Sequence, residues 1–239
     1  MSTSIIRNKT LVLLPLLSIL ALSSCSKDAA PLSLKERLHN AYLDSIEVSE
    51  EKIRPLVNIN YEEKLLTWNE TNDRVLLFTL HKYPTSYPDG ETITCNWESW
   101  LCSVKELSQW YKNNKDNIKD PLLRVKQVLG MSDESPNAYI SSLWISPSDL
   151  IRPAYITNVT SPMKTTFADD VSDTYKNWFA GQYYYSYETK KLPWTRLGYT
   201  YDWSEEAKDR YGLSEFVTFS GNTAIVDKTL PVEDFLATL

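Results

Sequence analysis

The segment Val75-Leu76-Leu77-Phe78-Thr79-Leu80 constrains this chain more than any other. A strand with one wet face alternates apolar and polar residues. A nearly continuous apolar run is what a central strand covered on both faces requires. Further strands are predicted at 65–68, 91–96 and 138–146, with partial alternation over 197–203. The stretches 215–220 and 223–230 flank Gly221-Asn222, a two-residue hairpin signal. Residues 83–90, with Pro84, Pro88 and Asp89-Gly90, read as a loop, and 147–153 as a turn or short helix. Helix signals interleave with the strands. Ser33-Leu34-Lys35-Glu36 is a capping box, followed by Leu38, Tyr42 and Ile46 at helical spacing, so 33–47 is an amphipathic helix. Ser103-Val104-Lys105-Glu106 is a second box, opening a helix through Leu107, Trp110 and Tyr111. Asp120-Pro121 places an N-cap before a first-turn proline, and Gly130 ends that helix. Residues 170–187 carry aromatics mostly three and four apart, and 232–236 form a short closing helix. The predicted fold is α+β: a mostly antiparallel or mixed sheet with packed amphipathic helices, in a single domain.

The N-terminus carries a different kind of signal. Arg7 and Lys9 precede the apolar run 11–22, the order of a secretory signal. The run is too short for a ~30 Å hydrocarbon core, and Pro15 interrupts it. Leu22-Ser23-Ser24-Cys25 follows. This tetrapeptide resembles the lipobox of bacterial lipoproteins. The resemblance implies diacylglycerol on the Cys25 sulfur, cleavage before Cys25 and acylation of the new amino terminus. An ordinary signal peptide with a chance cysteine is the plain alternative. Several acyl chains, at ~0.8 kcal/mol per buried methylene, would hold a soluble domain on a membrane. Ser26 stands where Asp would retain a lipoprotein at the inner membrane, so the same resemblance implies the outer membrane, on its periplasmic or its surface side. Residues 1–24 are then a signal peptide, 25–32 a lipidated tether and 33–239 the folded domain.

The 239-residue chain less its first 24 residues leaves 215, enough for one large domain. Its formal charge moves from −6 to −8, because the signal holds Arg7 and Lys9 and no acid. An acidic chain without a dense Lys/Arg stripe is a poor partner for nucleic acid, and lipid rather than a basic face would meet the membrane. With Cys25 assigned to lipid, Cys95 and Cys102 remain. In an oxidising compartment they are either a disulfide closed by a turn near residues 96–99 or two separate buried thiols.

Signals for chemistry are sparse. The sequence holds two histidines, His39 and His81, and neither an H-E-x-x-H nor a C-x-x-C pattern, so no metal or cofactor is implied. Asp169-Asp170-Val171-Ser172-Asp173 matches a D-D-x-x-D run formally, but an acidic helix start explains it better. A nucleophilic pair of His81 with Cys95 or Cys102 requires unbridged cysteines, and no G-x-S-x-G elbow is present. Asp149, Asp202, Glu205, Glu206 and Glu215 could supply a general acid and base, although no spacing singles out a pair. Aromatics are in excess, with eight Trp and fifteen Tyr. They serve either as core or as platforms for a glycan.

The densest constellation is Pro193-Trp194-Thr195-Arg196-Leu197-Gly198-Tyr199-Thr200-Tyr201-Asp202-Trp203, followed by Gly212-Leu213-Ser214-Glu215-Phe216. With Leu143–Pro153, which ends Asp149-Leu150-Ile151-Arg152-Pro153, these segments resemble an uncharacterised family of bacterial proteins over residues 74–220. The tyrosine-rich helix departs from that pattern. The resemblance implies a shared fold and no mechanism. From the residues themselves, Arg152 and Arg196 are expected to pair with Asp202, Asp149 or Glu215, because an arginine among aromatic strands needs a carboxylate to be buried. Tyr199 and Tyr201 would share one sheet face, flanked by Trp194 and Trp203. Such a group either grips an anionic or amide-bearing ligand or fixes loop 188–214 onto the sheet, and the second is the commoner solution. The function expected is a lipid-anchored envelope protein with a non-catalytic binding or structural role, its partner a glycan, peptide or envelope protein. A small carboxylate-dependent envelope hydrolase is the alternative.

Overall fold

In a computed structural model, which describes residues 30–239, the apolar run becomes the middle of a sheet. The signal segment, the lipobox and Cys25 lie outside the described residues. Strand β1 (Val75–His81) is joined by β2 (Thr92–Thr94), β3 (Ser99–Ser103), β4 (Tyr139–Ile145), β5 (Tyr199–Tyr201), β6 (Tyr211–Thr218) and β7 (Thr223–Pro231). The spatial order is β2-β7-β4-β1-β3-β6-β5, with every neighbouring pair antiparallel. The helices are α1 (Leu34–Ile46), α2 (Val104–Asn114), α3 (Pro121–Val128), α4 (Asp173–Tyr183) and α5 (Val232–Ala237). The α+β expectation holds, and Leu32–Leu239 forms one packed unit.

Alternation along β1 separates two cores. Val75 and Leu77 join Leu101, Leu143, Ile145, Phe216 and Val226 on one face, closed by Val57, Ile59 and Leu66 from the irregular chain before β1. Phe78 and Leu80 join Cys102, Ile140 and Leu213 on the other, closed by Leu107 of α2, Val125 and Val128 of α3, and Phe235 of α5. Both faces of β1 are thus dry, as its composition requires. Smaller aromatic clusters lie beyond these cores, among α1, α4 and residues 152–203.

Local signals are honoured where they are self-contained. Ser33 forms its capping box with Glu36, and Asp120 caps α3 by accepting from the Leu123 N–H. Gly130, at φ +68°, follows α3 in the left-handed conformation that ends it. The second box forms by half. Ser103 accepts from the Glu106 N–H, but the Glu106 carboxylate turns inward to the N–H and hydroxyl of Ser214. Ser103 is also the last residue of β3, so this strand runs straight into α2 and leaves no turn to mark it in the sequence. Residues 65–68 make one isolated bridge, Trp68 to Val75, rather than a strand. The predicted helix over 170–187 begins at Asp173 and finishes in π-helical turns, Tyr184–Lys190, which bury Tyr187.

The expected hairpin is not a hairpin. The turn exists, with Asn222 N–H donating to the Phe219 carbonyl. Yet β6 pairs with β3 and β5, while β7 pairs with β4 and β2. Four strand spacings of about 4.8 Å separate them along the sheet, about 19 Å if it were flat, which exceeds the roughly 18 Å that the five steps from Thr218 to Thr223 can span. The sheet must therefore curl to bring its wings together. Ile151 seals the curl by exchanging both backbone hydrogen bonds with Val217. A two-residue turn signal dictates a reversal of direction, whereas pairing goes to whichever strands bury both faces.

Candidate functional site

The expected arginine–carboxylate network is there only in part, and its partners differ. Asp202 is held by Arg124 of α3 in a two-pronged pair, Nη1 to Oδ1 at 3.0 Å and Nη2 to Oδ2 at 2.7 Å. Both side chains are buried, and the guanidinium lies over the Trp110 ring at 4.8 Å. Burial lifts the Asp202 carboxyl above its ordinary value, and the Arg124 guanidinium pulls it back down. Arg124 went unnoticed in the sequence because it sits among the apolar positions of α3.

Among the described residues neither Arg152 nor Arg196 reaches a carboxylate, which corrects the expected pairing. Arg152 is fully buried and donates from Nη2 to the carbonyls of Val57 at 2.6 Å and Val159 at 2.9 Å and to the Asn58 side chain. Burial lowers its pKa to about 10, and its plane lies over Phe216. Arg196, at φ +60°, donates to the carbonyls of Ser45 at 2.9 Å and Ile46 at 2.6 Å, the last turn of α1, and lies over the Tyr183 and Tyr187 rings. A cation at a helix C-terminus satisfies carbonyls that have no intrahelical donor and complements the helix dipole. Tyr199 and Tyr201 are pinned likewise, by the Lys52 carbonyl at 2.8 Å and the Asp44 carboxylate at 2.9 Å. Asp149 is likewise absent from these ion pairs, making its contact through its backbone carbonyl to Asn222. The motif as a whole fastens α1, α3 and the 152–160 loop onto β5 and β6. Gly212 shows how tightly: any Cβ there would collide with Thr200 Oγ1 and the Val128 carbonyl.

Glu215 is the exception. It pairs in register with Cys102 of β3 and shares the face of Leu213. Its side chain is 8% exposed, and among the described residues no donor reaches its carboxyl. Burial alone pushes its pKa up to about 8. It opens on a cavity of about 710 Å³, bounded by Phe78, Leu80 and Cys102 of the sheet, Gly130 and Met131 after α3, and Trp194, Thr195, Tyr199, Thr200 and Tyr201. Trp97, Trp100 and Tyr185 complete the wall. Trp97 is 81% exposed. Trp194, another wall residue, is 7% exposed and its indole N–H has no partner among the described residues. Glu98 also lines the cavity and accepts from the indoles of Trp178 at 2.5 Å and Trp100 at 3.3 Å and from Gln182 at 2.8 Å. Sequence reasoning passed over Glu98, though its place between Trp97 and Trp100 was a signal.

The nucleophilic readings dissolve on geometry. Cys95 and Cys102 are free buried thiols rather than a disulfide. Cys95 is tied through its backbone to Gly221 and Asn222, whereas Cys102 stands in mid-sheet between Phe78 and Glu215. Burial raises both thiols, Cys102 well above its ordinary value, so neither forms a ready thiolate. His81 sits 2.7 Å from Ser141 Oγ, but its Nδ1 already accepts from the Tyr83 N–H at 3.2 Å. The proton is therefore on Nε2, and the ring donates to Ser141 instead of activating it. Burial lowers His81 to about 4. Glu106, raised by burial to about 7, accepts from Ser214 and from the Tyr211 hydroxyl at 3.1 Å. Among the described residues no cluster of three or more His, Cys, Asp or Glu is placed to hold a metal ion. The chain matches no family model, no curated protein and no solved structure.

Proposed function

We propose that this protein is a lipid-anchored component of a bacterial cell envelope, at the outer membrane, whose domain binds a small ligand without transforming it. The cavity carries the reading. It has the volume of a small-molecule site, aromatic walls and a few convergent polar groups, and a buried carboxyl on its floor that the fold leaves without a partner. The anchor rests on Leu22-Ser23-Ser24-Cys25 alone. Two experiments test the two halves. Cys25→Ala is expected to move the protein from the membrane to the soluble fraction, and unchanged partition removes the anchor. A thermal-shift screen of the full-length protein against small molecules is expected to find a stabilising ligand whose effect is lost when the cavity is filled by Cys102→Phe.

One observation favours a second reading, an envelope hydrolase acting on glycan or peptide. Glu98 and Glu215 line the same cavity, and the raised Glu215 would be the general acid. Against it, Glu98 is already engaged by three N–H donors. Release of reducing ends from envelope glycan by wild type and not by Glu215→Gln would establish this reading over the first.

A further inference from the structure

We propose that the ligand is an organic cation, a primary amine or a methylated ammonium, seated against the Glu215 carboxylate. This deepens the binding reading and rests on it. The first observation is charge. Among the described residues no lysine or arginine lines the cavity, and the two formally charged ones that do are Glu98 and Glu215. An anionic ligand would meet two acids and no cation, which overturns the expectation of an anion gripped by arginine. Arg152, which was to do the gripping, lies over Phe216 on the opposite face of the sheet.

The second observation is what Glu215 lacks. A buried carboxyl without a donor is costly in either state, since the ionised form needs a counter-charge and the neutral form an acceptor. A primary ammonium supplies charge and N–H together, and a quaternary, fully methylated ammonium supplies charge alone. Glu215 acts electrostatically on Cys102 of β3 and Tyr175 of α4, and Glu106 of α2 acts on the same Cys102; Tyr199 and Tyr201 of β5 and His81 of β1 line the cavity, and these thiol, phenol and imidazole groups are neutral at pH 7. None offers the missing positive charge. The third observation is the wall. Trp100 and Trp194 present the aromatic surface that holds a cation through the ring quadrupole, strongest where water is excluded. A net charge of −6 on the chain adds attraction from a distance.

The test is a tryptophan-fluorescence titration of the full-length protein in a nonionic polyoxyethylene detergent, which carries neither sugar nor ammonium. The probes are choline, putrescine, glutamate and N-acetylglucosamine. Choline or putrescine is expected to bind saturably and glutamate not at all, and the choice between the two cations tells a methylated from a primary amine. Calorimetry at pH 7 in two buffers of different ionisation enthalpy is expected to show release of a proton on binding, as Glu215 ionises to meet the cation. Glu215→Gln is expected to weaken binding at least tenfold and to abolish that release, while its melting temperature stays at or above wild type. Equal affinity in Glu215→Gln overturns the assignment. So does binding of glutamate or N-acetylglucosamine without either cation, which would leave the cavity a binding site of another kind. No binding by any probe overturns the cation, and the binding reading then falls only if the wider thermal-shift screen is also empty.

Discussion

Asp202 and Glu215 are both buried acids of the same motif region, and they have opposite surroundings. Asp202 is met by both arms of Arg124, so its charge is matched and its lone pairs are used. Glu215 is met by no donor among the described residues and faces a cavity. The first acid joins two elements, because breaking it strands a charge inside the protein. The second joins nothing and costs the folded state stability. A buried acid left unmet beside a cavity calls for an explanation, and that is the physical ground for proposing the site at Glu215 rather than at Asp202.

The contrast can be broken hardest at its paired end. Arg124→Met is expected to destabilise by about 3–5 kcal/mol in urea denaturation, because Asp202 is left buried and alone. Adding Asp202→Leu should restore most of that loss, and a double variant no better than the single would mean that the pair does more than neutralise itself. Arg196→Ala comes next. It removes two charge-assisted bonds to the end of α1, at a cost of about 1.5–3 kcal/mol, measured by the same unfolding curves.

The unpaired end should respond with the opposite sign. The Glu215 pKa of about 8 in the folded state lies above the ~4.3 of an unfolded chain. Between those values the native state holds a proton that the unfolded state has released, so stability falls as pH rises through that window and levels off above it. Glu106, at about 7, acts in the same direction, so the comparison must be with wild type at each pH. Glu215→Gln should match wild type in melting temperature near pH 4 and exceed it by several degrees near pH 9. The smallest stability effect belongs to Trp97→Ala, within about 0.5 kcal/mol, since its ring is exposed. A larger loss would make Trp97 part of the core.

Much of the secondary structure could be read from residues whose signal is local. The β1 run, the Ser33 box and the Asp120-Pro121 start each contain their own cause, and all three appear where they were expected. The candidate group was half legible. Arg152, Arg196, Tyr199, Tyr201, Asp202 and Glu215 are all buried, but they are not one cluster, and their partners are mostly backbone carbonyls that no side-chain pattern reveals. Arg124 and Glu98 were missed because their roles depend on what lies opposite them in space.

The sequence alone determined that this chain has a central strand dry on both faces, helices whose ends cap themselves and a folded domain that is acidic, because those properties arise from neighbours within a few residues. Only the tertiary structure decided that β6 and β7 part to opposite wings, that Asp202 finds Arg124, and that the Glu215 carboxyl meets no donor among the described residues. Pairing between distant segments depends on which arrangement buries both faces and leaves the fewest unmet groups. That competition is global, and no short stretch of sequence contains its outcome.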